Sequence, residues 1–153
     1  MLERIFPRQL DNEYRGYRVA LVIFGLIIAV RALQSVMVIF NGPATVTGAD
    51  GIPLGSYPAD AAQTVLGLFA QNSLWRLVFS MIGVVVLVRY RTAVPLMFAA
   101  MILTFVGAQV LSIYMPLARV GPVPTGLIVN RVMVGLMLVG LVLSVLKRRG
   151  IHP

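Results

Sequence analysis

Three arginines, Arg31, Arg76 and Arg131, sit inside or at the edge of long apolar stretches. No acid shares those stretches: Glu3, Asp11, Glu13, Asp50 and Asp60 all lie in flanks or loops. An ionised arginine at the centre of a membrane helix costs about 2.5–3.5 kcal/mol on translocon scales, so such residues face a cavity, a partner or an interface. The chemistry open to them is the clamping of an anion, whether a lipid phosphate, a quinone-like acceptor or a partner's carboxylate. Gln34 and Ser35 follow Arg31 at i+3 and i+4 and share its helix face. Asn72, Gln109 and Asn130 fall at a similar depth in the other stretches. The candidate ligand- or partner-binding set is therefore Arg31, Gln34, Asn72, Arg76, Gln109, Asn130 and Arg131. A simpler reading stands beside it. Arg76 and Arg131 are close enough to one interface to snorkel to phosphates. Arg31 can bond carbonyls freed near Asn41-Gly42-Pro43.

Catalytic chemistry has little to work with. General acid–base catalysis needs a carboxylate or histidine at the site. Only Asp50 and Asp60 lie on the same side as the arginines, and helix N-capping explains Asp60 more simply. The single histidine, His152, is next to last, and cysteine is absent. That excludes disulfides, thiol catalysis, Cys-ligated zinc and iron–sulfur clusters. The expectation is a chain that is not an enzyme and holds no metal, with a bound phospholipid or quinone as the possible cofactor.

The elements that must position these residues follow from composition. Hydrophobic residues make up 59% of the 153-residue chain and charged residues 12%, against roughly 25% charged in soluble domains. The excess lies in four apolar runs, at about 19–40, 74–88, 92–115 and 125–146. The reading is an all-α integral membrane protein, a four-helix transmembrane bundle over 19–146. Residues 1–18 form a basic N-terminal segment with amphipathic spacing, and 147–153 a basic tail. Its leader is too polar, and the run after it too long, for a signal peptide. Asn41-Gly42-Pro43 is a strong helix stop. The connection 41–73 is expected to carry a short surface helix over 61–70, where Ala61, Ala62, Val65, Leu66 and Phe69 recur with a period near 3.6. The alternative is one helix continuing into the second span. Pro95 falls in the first turn of the third span, where proline is tolerated.

The net charge of +8 reads as topology rather than nucleic-acid binding. Nine Lys or Arg residues flank the spans on one side and Arg119 stands alone on the other. The positive-inside rule then places both termini in the cytoplasm, with anionic lipid headgroups as partners, in a bacterial inner membrane. Thirteen residues separate Arg18 from Arg31, a rise of roughly 20 Å. The polar set thus occupies the outer half of the bilayer, and the inner half is almost wholly apolar.

Small residues mark close helix packing in lipid. Ala100, Thr104, Ala108 and Ser112, with Gly107 adjoining, form the clearest ladder and predict a buried face on the third span. Gly25, Ala29 and Ala32 form a stripe on the first, Ser73, Ser80 and Gly83 on the second, Gly140 and Ser144 on the fourth. On a helical wheel Arg31 lies well over ~90° from the first stripe. If that stripe packs inside, Arg31 faces a lateral groove or another subunit. Arg76 shares a face with Ser80 and points inward. Two functional readings follow. One is a non-enzymatic small membrane protein, either an accessory subunit of a larger complex or a lipid- or quinone-type amphiphile binder. The other is a small transporter or channel for an anionic or amphiphilic solute, working as a homo-oligomer.

Overall fold

The computed structural model describes all residues except 1–4, 8, 118, 120–122 and 147–153. The basic tail at 147–153, Arg4, Arg8 and the Gly121-Pro122 breaker lie outside the described residues. Five α-helices are described: α1 (Arg18–Phe40), α2 (Gly42–Gly48), α3 (Ala59–Arg89), α4 (Val94–Tyr114) and α5 (Thr125–Val145), with single 3₁₀ turns at Leu54–Ser56 and Arg91–Ala93. Four of these elements are long and apolar enough to cross a membrane, with Arg91–Tyr114 counted as one.

Helix α1 ends where Asn41 leaves helical geometry, its N–H still donating to the Met37 carbonyl at 2.8 Å. The same three residues that stop α1 also start α2. Pro43 occupies the first turn of α2, where no N–H is required, and the Thr45 hydroxyl donates back to the Asn41 carbonyl at 2.8 Å. Past α2, Gly51 turns the chain with φ 71°, a left-handed conformation that glycine adopts without steric cost. That turn brings the Ile52 N–H to the Val46 carbonyl at 3.2 Å.

The short helix of this connection is therefore 42–48, and the surface helix expected over 61–70 is the start of α3. The 31 residues of α3 run without a break and span about 46 Å, well beyond a hydrocarbon core of about 30 Å. The amphipathic pattern at 61–70 has another cause. Val65, Leu66 and Phe69 pack against a small second core of Val38, Val46 and Ile52, with Leu54 and Tyr57. Their apolar stripe meets the folded connection. Asp60 is not the N-cap either. Pro58 holds that position with no side-chain cap bond, and Asp60 stands in the first turn, where its charge favours the helix dipole.

The main core lies nearer the opposite end. Ala20, Phe24, Ile27 and Ile28 of α1 meet Val86 of α3, Met97, Phe98 and Met101 of α4, and Met133 and Met137 of α5. Helix α1 packs most extensively on α3 and then on α5, and α4 is held chiefly by α5. Two glycines permit close approach. A Cβ on Gly83 would meet Ile28 Cγ2 at 2.9 Å, and one on Gly140 would run into the Phe98 ring.

The small-residue stripes divide. Ser73, Ser80 and Gly83 are buried on α3, and Gly140 and Ser144 on α5. The α4 ladder is not: Thr104, Ala108 and Ser112 are exposed, and Ala100 and Gly107 half-buried. Met97, Met101 and Phe105 recur with the same four-residue spacing and bury instead. Beyond Phe105 nearly all of α4 is exposed. On α1, Ala29 is exposed and Gly25 and Ala32 are half-buried, whereas Phe24, Ile27, Ile28 and Ser35 are buried. The inward face of α1 is thus the one that carries Arg31, contrary to the lateral position its small-residue stripe implied.

Residues 9–17 form no helix despite their amphipathic spacing. They are tied down across the opposite end. The Thr92 hydroxyl donates to the Asp11 carbonyl at 3.0 Å and the Tyr17 N–H to the Leu143 carbonyl at 3.1 Å. Tyr14 of this segment packs against the main core, and burial pushes its pKa from 10.0 up to about 12. The folded state then holds the phenolic proton more tightly than the unfolded one, so stability is full below pH 10 and falls between 10 and about 12. A Tyr14→Phe variant should lose that alkaline slope in thermal melts. An unchanged slope would move the titration to another group.

Candidate functional site

At the end where the 41–58 connection lies, two cavities meet at one side chain. The first, about 290 Å³, opens between α3 and α4 and is walled by Trp75, Phe79, Met101 and Phe105, with Arg31, Asn72, Arg76, Ser80 and Thr104. The second, about 430 Å³, lies between α1, α2 and α5, and takes Gln34, Thr45, Asp50, Arg76, Gly126 and Asn130 among its lining residues. Arg76 lines both.

Local structure explains how each group is held. The Arg31 guanidinium carbon lies 4.0 Å from the Phe105 ring centroid, a cation–π contact worth about 0.5–2 kcal/mol. Ser35, fully buried one turn on, donates to the Arg31 carbonyl at 2.9 Å and so needs no other partner. Arg76 Nη2 donates to Ser73 Oγ at 2.9 Å, and Ser80 Oγ donates to the Arg76 carbonyl at 2.8 Å. The buried serines of α3 thus anchor Arg76 along its helix. Its Nε is buried and without a hydrogen-bond partner, and so are Gln34 Oε1 and Asn130 Oδ1. Such a group, left unpaired, costs about 1–3 kcal/mol. All three line the second cavity.

Asp50 reaches this cavity from the connection. Burial pushes its carboxyl above the usual carboxylate range, and Arg76 and Arg119 pull it part of the way back. The carboxylate forms no ion pair within 4.0 Å among the described residues, where Arg15–Glu13 at 3.8 Å is the pair formed. Gly126 at the start of α5 completes the wall. Its N–H donates to the Ala49 carbonyl at 2.9 Å, and a Cβ there would stand 2.7 Å from that oxygen.

The structure therefore brings together Arg31, Gln34, Asn72, Arg76 and Asn130 around the two cavities. Gln109 and Arg131 are exposed and line neither. Three contributors, Phe105, Trp75 and Asp50, lie outside the candidate set read from the sequence. Phe105 repeats the Met97–Met101 spacing, a signal masked by the more conspicuous small-residue ladder beside it. Trp75 adjoins Arg76 in the chain. Asp50 precedes Gly51, a turn dipeptide, but its approach to Arg76 depends on the fold of the whole connection. With two arginines beside aromatic walls in one cavity and a carboxylate in the next, the arrangement can bind a charged or dipolar head attached to an apolar body. No cluster of three or more metal-binding side chains occurs among the described residues.

Comparison with protein-family models, curated proteins and solved structures found no match.

Proposed function

We propose that this chain is a non-enzymatic integral membrane protein that holds one amphiphile, a phospholipid or a quinone, in an Arg-rich pocket in the outer half of the bilayer. Four spans form a bundle with both termini in the cytoplasm, a topology that rests on the nine-to-one distribution of basic flanking residues. The basic flanks lie against anionic headgroups of a bacterial inner membrane. The observation that carries the reading is the position of Arg76, a cation shared by an aromatic-walled cavity and a second cavity that sets Gln34, Asp50 and Asn130 among apolar side chains. An amphiphile has that same division. The aromatic cavity opens where α4 leaves its neighbours after Phe105, so an acyl or isoprenoid tail enters sideways from lipid. The buried core of Phe24, Phe98 and Met137 lies beyond the site toward the opposite end. That weighs against a transporter path through a single chain.

A second reading, an accessory subunit of a larger complex, draws on the exposed Thr104, Ala108 and Ser112 of the α4 ladder. Such a face suits close approach by another membrane helix. Native mass spectrometry from mild detergent reads both. The wild type is expected to carry one amphiphile per chain, and Arg76→Gln to retain it at least tenfold less, as loss of ~1.4 kcal/mol of binding requires. Equal retention by the variant overturns the pocket assignment. Co-purifying subunits lost on Ala108→Leu would favour the second reading.

A further inference from the structure

We propose that the head of the bound amphiphile is zwitterionic, a phosphate followed by a primary ammonium as in a phosphoethanolamine lipid, with the phosphate between Arg31 and Arg76 and the ammonium in the Asp50 cavity. This rests on the amphiphile reading and narrows it.

The two cavities leave donors and acceptors uncommitted. On one side, in the first cavity, stand the guanidiniums of Arg31 and Arg76, and neither is ion-paired among the described residues. These are donors only, and a phosphate answers both. On the other side stand acceptors: the Asp50 carboxylate and the buried, unpartnered oxygens of Gln34 and Asn130. The amides can turn over and present their NH2 groups. A carboxylate cannot. Asp50 therefore decides the chemistry, because a head made only of acceptors, such as a quinone, would leave it opposed. A glycerol head supplies hydroxyl donors but no charge. An ammonium supplies three N–H donors and a positive charge to set against the carboxylate, and charge-assisted bonds are about twice as strong as neutral ones.

Geometry gives the same order. The aromatic walls of Trp75, Phe79 and Phe105 border the first cavity, Arg76 stands at the junction, and Asp50 faces the second. Tail, phosphate and ammonium follow in that sequence along a phosphoethanolamine lipid. The anionic part of a dipolar head then meets Arg31 and Arg76, and its cationic part meets the Asp50 carboxylate, so the head is matched group by group.

The test uses the full chain, delipidated and titrated with dioleoyl phosphatidylethanolamine or dioleoyl phosphatidylglycerol at matched mole fractions, read by native mass spectrometry. Wild type is expected to prefer the ethanolamine lipid by roughly tenfold, the effect of one charge-assisted hydrogen bond. Asp50→Asn, which keeps the shape and turn preference, should bind both lipids alike. Gln34→Leu should narrow the preference without abolishing it. The preference should also fade on acidification, as the Asp50 carboxylate, which faces Arg76 and Arg119 as well as the ammonium, takes its proton above the usual carboxylate range. Soluble glycerophosphoethanolamine should compete weakly, which separates a lipid from a free phosphate ester. Equal or tighter wild-type binding of phosphatidylglycerol overturns the headgroup assignment and leaves the amphiphile reading standing. Binding of neither lipid overturns both. A preference that survives in Asp50→Asn assigns the ammonium elsewhere and overturns the inference.

Discussion

Gly140→Leu should be the most damaging single substitution in the apolar core. A Cβ at this position overlaps Phe98, running into Cζ and standing 2.6 Å from Cε1. Phe98 has nowhere to go. It is fully buried and meets Phe24 edge-on, with ring centroids 5.3 Å apart and planes at 69°. Overpacking of a fixed core typically costs about 1–3 kcal/mol and sometimes more. Leucine adds three further carbons to that overlap and should exceed the cost of alanine. For a domain of this size the melting temperature falls by about 2–4 °C for each kcal/mol. Gly107→Ala is the control, because nothing lies within 4 Å of a Cβ there, and alanine in a helix is better than glycine by up to about 1 kcal/mol. Thermal melts in detergent distinguish the two. A Gly140→Leu melt that matches wild type would mean that α4 does not meet α5 through Phe98. Partial recovery in Gly140→Leu combined with Phe98→Ala would identify the ring as the obstacle.

Arg31→Met should separate stability from binding in opposite directions. Arg31 lies in an apolar helix with no acidic partner and shares its cavity with a second cation, Arg76. Its membrane cost is about 2.5–3.5 kcal/mol, against which the Phe105 contact returns about 0.5–2 kcal/mol. Methionine fills similar length and keeps contact with the Phe105 ring. The delipidated variant is therefore expected to gain about 1 kcal/mol in stability. Amphiphile retention should fall by more than tenfold, since one of two anion donors is gone. A residue retained for binding at the expense of stability behaves in this way. A variant that is less stable and binds normally would make Arg31 a structural residue.

These contrasts show what could be read without the structure. The four apolar runs were legible because nothing but a membrane explains runs of that length. Most of their ends were legible because Asn41, Arg89 and Pro124 are poor helix continuations in an apolar setting, whereas the helix of the second run begins at Ala59 and not near Leu74. The inward faces were harder. On α4 the Ala100–Ser112 ladder and the Met97–Phe105 row share one period, and lipid exerts no hydrophobic preference between them. Small size does not mark the contact on α4, where Met97, Met101 and Phe105 fill the core and Thr104, Ala108 and Ser112 face out. For α3 the same marker held, because Ser73, Ser80 and Gly83 admit α1 closely. The arginines and amides of the site were visible as polar interruptions in apolar runs. Asp50 was not, since a lone acid in a loop carries no sign of which span it will approach. Its place depends on α2, the Gly51 turn and a second core whose members are spread from Val38 to Phe69.

The hydrogen bond from Gly126 to Ala49 also has a consequence in time. Chains emerge from the ribosome N-terminus first, and the last helix leaves after the other three. Gln34, Asp50 and Arg76 are thus in place before Gly126 and Asn130 arrive to close the second cavity. During that interval the uncommitted groups face whatever surrounds the nascent chain. The second cavity is complete only once α5 is in place, so a chain truncated before Thr125 would carry its charged groups without the wall that shelters them.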